Sequence, residues 1–179
     1  MIYMTHYKSP IGDILLASKN DKLIGLWIEN QKSYLSNFKE EIKEVDNIEI
    51  LIKTKKWLDS YFNGEKPNIK ELDIEPIGSD FRKSVWKILI DIPYGKVITY
   101  NDIAKKIAKE RGIKKMSAQA VGGAVGNNPI SIIIPCHRVI GTNGSLIGYT
   151  GGIKIKKYLL EHEKVDMSNL FVPMKGTAL

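Results

Sequence analysis

One thiol in this chain has neighbours that could make it reactive. Cys136, the only cysteine in 179 residues, lies in Ile130-Ser131-Ile132-Ile133-Ile134-Pro135-Cys136-His137-Arg138-Val139. The thiolate is the nucleophilic form, and a free thiol ionises near ~8.5. Burial beside isoleucines raises that value, so some group must take or share the proton. His137 is the base next to it in sequence, and Arg138 adds positive charge. Adjacent side chains of an extended segment point to opposite sides. His137 is therefore expected to reach the thiol through a bridging water. On composition alone an isolated cysteine reads as a small inert hydrophobe. The base, the cation and the fixed backbone at Pro135 argue instead for a built site.

The elements that must hold this group are legible around it. Ile130 to Ile134 is apolar and β-branched, which predicts a buried strand. Pro135 cannot donate a ladder hydrogen bond, so pairing is expected to stop there and the cysteine to open a loop. Upstream, Ser117 is positioned to cap a helix through Ala118, Ala120, Val121, Ala124 and Val125, ended by Gly126-Asn127-Asn128-Pro129. Gly122 and Gly123 within it each cost about 1 kcal/mol relative to alanine. Close approach of another backbone would justify them, and that backbone could be DNA or a neighbouring helix. Thr99-Tyr100-Asn101-Asp102 offers a capping box for a helix carrying Ile103, Ala104 and Ile107, ended by Arg111-Gly112. Ser79 or Asp80 caps a helix from Phe81 to Leu89, and Pro93-Tyr94-Gly95 makes a turn. A last amphipathic helix spans Ile153 to Glu163. Two short helices before the cysteine suggest a helix-turn-helix, although residues 110–116 make a long connector.

The first half reads differently. Ile2–Tyr7, Ile11–Ser18 and Leu23–Ile28 predict an antiparallel meander, with Ser9-Pro10-Ile11-Gly12 and Asn20-Asp21 as turns. Tyr34, Leu35, Phe38 and Ile42 predict a helix over Gln31–Val45, and Ile50–Phe62 a second one, ended by Asn63-Gly64. Residues 65–79 carry Pro67, Pro76 and Gly78 and read as a linker. The division expected is residues 1–75, residues 76–166 and a loosely attached tail, 167–179.

Charge follows the same division. Residues 1–75 hold 11 Lys+Arg and 13 Asp+Glu, whereas residues 76–179 hold 16 and 7. The basic half is expected to meet a polyanion. A single cysteine excludes an internal disulfide framework and suggests a reducing compartment. His6, His137 and His162 are far apart in sequence, so no metal or other cofactor is expected. No apolar run approaches the ~20 residues of a membrane span. Together with the N-terminal residues, this predicts a cytoplasmic protein.

Pro135-Cys136-His137-Arg138-Val139, with Asn128-Pro129 before it and Gly148-Tyr149-Thr150-Gly151-Gly152 after it, resembles the active-site signature of the O6-alkylguanine-DNA alkyltransferases. The resemblance runs from Phe81 to Glu163 and extends more weakly through Ser9–Gly12 and Leu58–Phe62. It implies an α+β fold: an N-terminal ribonuclease H-like domain with an antiparallel sheet, then a mainly helical, winged-helix-like domain with a helix-turn-helix. It also implies irreversible, single-use transfer of an alkyl group from O6-alkylguanine onto Cys136, with O4-alkylthymine as a second candidate substrate. The implied catalytic set adds Glu163 behind His137, Tyr100 as donor to the base and Asn128 as a brace of the active-site turn. Tyr149 and Thr150 match the residues at the flipped base, and Lys156 a lysine near the pocket. Ser117, Ala118, Gln119, Gly122, Arg138 and Val139 complete the substrate- and DNA-facing set. The implied partner is lesion-bearing double-stranded DNA, met in the minor groove by a monomer.

One position departs from that family pattern. The arginine pushed into the base stack is replaced by Gln119, which can fill the gap but carries no charge. Three other readings remain: a lesion sensor without chemistry, a helix-turn-helix transcription factor, and a cysteine hydrolase. The first lacks the cysteine, the second predicts sequence preference independent of Cys136, and the third predicts turnover.

Overall fold

The computed structural model describes residues 1–29, 31 and 38–174. The chain forms two compact units, residues 1–77 with 129–133, and residues 78–128 with 134–179.

In the first unit, strands β1 (Ile2–Ser9), β2 (Gly12–Lys19) and β3 (Lys22–Ile28) form the expected antiparallel meander. Tyr3 pairs with Ser18 and Ser9 with Gly12, so a tight turn closes the first hairpin. Gly12 takes the positive φ of 111° that this turn requires. Helix α1 (Glu49–Phe62) packs on the three strands, burying Ile50, Leu51, Thr54, Trp57, Leu58 and Tyr61. These positions recur at the spacing of one helical face.

The helix expected over Gln31–Val45 is corrected where residues are described. Ile42–Glu44 is strand β4, parallel to β1 through Ile2↔Ile42. Tyr34 and Leu35 lie outside the described residues. Phe38 and Ile42 do pack on a core of Ile2, Ala17, Ile24 and Trp27. Their apolar spacing reported burial correctly and secondary structure incorrectly.

Residues 65–77, expected as linker, belong to this unit. The Trp57 indole donates to Asn68 O at 3.1 Å. Leu23 N donates to Asp73 O and Glu75 N to Leu23 O, each at 2.8 Å. The isoleucine run also joins the sheet, but not as a strand. Leu26 N donates to Pro129 O at 2.8 Å and Ser131 N to Leu26 O at 3.0 Å. The chain then turns at Ile132, whose φ is +68°. That backbone is strained for a β-branched residue, and the burial of Ile130 through Ile134 holds it in place.

In the second unit, α2 (Asp80–Ile90) is capped by Ser79, whose hydroxyl accepts from Arg82 N. Strand β5 (Ile98–Thr99) leads into α3 (Tyr100–Glu110), with the expected capping box between Thr99 and Asp102. Ser117 caps α4 (Ala118–Gly126). The Trp86 indole, 1% exposed, donates to Ala124 O at 2.8 Å and ties α2 to α4. Cys136–Arg138 forms one 3-10 turn, and β6 (Val139–Ile140) pairs in parallel with β5. Helix α5 (Ile153–His162) closes the unit.

The tail is not loose over its described part. Leu146 N donates to Phe171 O at 2.8 Å and Phe171 N to Gly144 O at 3.1 Å. Met167 and Leu170 pack on Ile140, Leu146, Leu160 and Val165. Apolar contact and two backbone hydrogen bonds hold residues that were expected to be loosely attached.

Candidate active site

Cys136 opens the 3-10 turn and is 4% exposed. Burial pushes its thiol up. The Asn128 side chain hydrogen bond and the Lys156 charge act against that push. Asn128 also donates through Nδ2 to Ile134 O at 2.8 Å, bracing the chain two residues before the thiol. Its position past the end of α4 follows from the Gly-Asn-Asn-Pro stop.

His137 and Glu163 meet as the sequence resemblance implied. His137 Nε2 lies 2.7 Å from Glu163 Oε1, and the imidazole is wholly buried. Nδ1 is buried and has no hydrogen-bond partner among the described residues. Burial lowers the His137 pKa while Glu163 raises it, and the net direction is down, toward neutral imidazole. Burial alone would raise Glu163. The His137 pair and the Arg138 guanidinium overcome it and hold the carboxyl well below the usual carboxylate range.

Arg138 sits inside this network, at variance with an expected place against DNA. Nε donates to Glu163 Oε2 at 2.8 Å, Nη2 to Glu163 Oε1 at 2.9 Å and Nη1 to Ile92 O at 2.5 Å. Its fork matches the carboxylate in the bidentate geometry that only arginine provides. The guanidinium also lies 5.8 Å from the Tyr94 ring centre. Gly95 N donates to Glu163 Oε2 at 3.2 Å, with φ at +75°. Sequence reasoning read Pro93-Tyr94-Gly95 only as a turn. The Pro-x-Gly pattern signalled the geometry but not the carboxylate it serves.

Tyr100 and Lys156 line the other side. The Tyr100 hydroxyl donates to Ile147 O at 3.1 Å, and burial raises its pKa. Lys156 is wholly buried and donates through Nζ to Val139 O and, at 2.7 Å, to Ile147 O. Tyr149 is buried and Thr150 exposed in the loop that follows. Val139 is buried in β6, so its contribution to the site is a backbone carbonyl.

The α4 residues expected to face DNA are largely exposed. Ser117, Ala118, Gln119, Ala120 and Gly123 are exposed, and Gly122 is half-buried. A Cβ at Gly123 would meet nothing within 4 Å, and one at Gly122 only the Tyr100 ring at 4.0 Å. Internal packing therefore does not explain the glycines. Of the two backbones that could have required them, a neighbouring helix is removed.

Among the described residues no cluster of His, Cys, Asp or Glu is placed to hold a metal ion, and no helix is long and apolar enough to cross a membrane.

Comparison with known proteins adds the following. Residues 2–76 match the family described as "6-O-methylguanine DNA methyltransferase, ribonuclease-like domain". Residues 80–165 match "6-O-methylguanine DNA methyltransferase, DNA binding domain". The chain is 36% identical to a methylated-DNA–protein-cysteine methyltransferase of Haemophilus influenzae, over 92% of this chain and 87% of the relative. A protein of the same description from Methanosarcina acetivorans is 41% identical over 90% and 98%. A crystal structure of Mycobacterium tuberculosis OGT in complex with DNA superposes with a TM-score of 0.79 at 38% identity, covering 90% and 92%.

Proposed function

The chain belongs to the 6-O-methylguanine DNA methyltransferase family, and from that premise we propose how its residues repair alkylated DNA. The protein is a DNA repair enzyme that transfers an alkyl group from DNA to a cysteine and is consumed in doing so. The acceptor is Cys136. Its sulfur attacks the alkyl carbon of O6-alkylguanine, a C–S bond forms, and the C–O6 bond breaks. A thioether is a poor leaving group, and the chain holds no second thiol to remove it.

The observation that carries this assignment is the His137–Glu163 contact at 2.7 Å, with the far nitrogen unengaged. Glu163 fixes the proton on Nε2, which leaves Nδ1 as the acceptor for the thiol proton, directly or through one water. Arg138 and Gly95 hold Glu163 in turn. Tyr100 donates a proton toward the departing base, whose negative charge would otherwise be unmet. Asn128 braces the turn, and Tyr149 and Thr150 contact the flipped base.

The exposed, small-residue face of α4 enters the minor groove, where Ser117, Ala118 and Gly122 allow close approach. Exposed Lys105, Lys106, Lys109, Lys114 and Lys115 supply charge toward phosphates. Gln119 fills the gap left by the extruded nucleotide, and flipping costs least for a badly paired base. The protein acts as a monomer in the cytoplasm.

The test is intact-protein mass after incubation with a duplex containing O6-methylguanine, beside Cys136→Ser. One added methylene mapped to Cys136, and absent from the variant, supports the reading. Lesion-selective binding with no mass gain would replace it with a sensor. Catalytic turnover on acyl substrates would indicate a hydrolase.

A further inference from the structure

Two donors meet one carbonyl beside the reactive thiol. Ile147 O accepts from Lys156 Nζ at 2.7 Å and from the Tyr100 hydroxyl at 3.1 Å. The hydroxyl also lies 3.4 Å from Gly148 O. If Tyr100 is to donate to a departing base, it must first release these carbonyls. A carbonyl shielded from water and left without a donor is costly; half-buried Ile147 O keeps Lys156 when the hydroxyl leaves, and the longer Gly148 contact is the weaker of the two to lose.

We propose that Lys156 is a positioning residue that acts through Tyr100: by holding the Ile147 carbonyl, it frees the Tyr100 hydroxyl to turn to the base. The inference rests on the role given to Tyr100 above.

Three features of the site support it. Of its three N–H groups Lys156 directs two to Ile147 O and Val139 O, so it clamps the loop after Leu146 to the strand that follows the cysteine turn. Its ammonium lies 5.9 Å from the Tyr100 ring centre, so it is a near neighbour of the ring whose hydroxyl must move. Gly148 has φ at +72°, and a Cβ there would come within 2.4 Å of the Tyr100 hydroxyl. The loop is thus shaped to keep the hydroxyl within reach of both carbonyls. Burial lowers the Lys156 pKa to about 8, opposed by Cys136, so the clamp still carries its proton at neutral pH.

The test is a double-mutant cycle in single-turnover methyl transfer from an O6-methylguanine duplex at saturating protein. Tyr100→Phe is expected to slow transfer by about 100-fold, as loss of one preorganised donor does. Lys156→Met is expected to slow it by about tenfold with lesion affinity unchanged, and by under about twofold once Tyr100 is already Phe. An equal Lys156→Met effect in both backgrounds would overturn the proposal, as would an effect confined to affinity. If Lys156→Met does not fold, Lys156→Arg replaces it, because the bulkier fork displaces the donor, and the same non-additivity is required. If the wild type gains no methyl group, it is the repair reading that fails, before the cycle begins.

Discussion

Around Cys136 the ionisable side chains His137, Arg138, Lys156 and Glu163 are all buried and held by short hydrogen bonds. Across the same folding unit, the outward face of α4 carries Ser117, Ala118, Gln119, Ala120 and Gly123, exposed and without charge. The two regions solve different problems. A proton transfer needs groups whose protonation is fixed by their surroundings, and low dielectric with matched partners supplies that. A surface that must lie close to another backbone needs the absence of bulk, and any internal partner would defeat it. On the function proposed above, burial suits one region to its role and the absence of bulk suits the other.

The contrast breaks most sharply at the thiol. Cys136→Ser should abolish transfer while leaving DNA binding within about twofold, measured by mass and by fluorescence anisotropy, since α4 is untouched. Glu163→Gln comes next. It leaves Arg138 buried beside a neutral amide, which should cost about 3–5 kcal/mol of stability in urea unfolding. It also loosens the His137 tautomer and should slow transfer by about 100-fold.

The pH dependence follows from the same pair. The Glu163 pKa is depressed in the folded protein. Its stabilisation is present above the unfolded-chain value of ~4.3 and is lost as pH falls toward the lower folded value. The His137 pKa is also lowered, so the unfolded chain takes up that proton first and stability begins to fall below ~6.5. Urea midpoints should therefore drop steadily from neutral pH to pH ~4, and Glu163→Gln should flatten the lower part of that curve. Transfer should persist below pH ~6.5, because buried His137 resists protonation there.

On α4 the expected signs are reversed. Gly123→Ala should raise stability by up to about 1 kcal/mol, because alanine is the better helix former and its Cβ meets nothing within 4 Å. The same change should weaken DNA binding by about tenfold if that face approaches a groove. Equal affinity with raised stability would sink the docking role of the glycines. Gln119→Arg is the mildest change. It adds one cation within the stack and should steepen the salt dependence of binding, by at most about 0.9 in log–log slope, the value for one full phosphate contact.

How much of this was legible depends on where the determining partners lie along the chain. The capping box at Thr99 and Asp102 is a local bargain between residues three apart, and it appears in the structure as read. So do the Ser79 and Ser117 caps and the β1–β2–β3 meander. The isoleucine run shows the opposite case. Its apolarity fixed burial, but the run is not a strand: it bridges to Leu26, and Ile132 turns left-handed. No periodicity in the run itself encodes either fact. Likewise Phe38 and Ile42 carry helical spacing, yet Ile42 lies in β4 because β1 offers an edge to pair with.

The amino-acid sequence by itself determined the candidate thiol, its histidine neighbour, the helix starts and the small-residue face, since each rests on residue type or short-range order. Only the tertiary structure decided that Arg138 turns inward to Glu163 rather than outward. It alone put Gly95 N on the same carboxylate, and Lys156 and Tyr100 on one carbonyl. Those contacts join residues 25, 68, 9 and 47 positions apart. Which of several possible partners a buried charge meets at such separations is set by how helices and loops pack, and a one-dimensional pattern does not contain that choice.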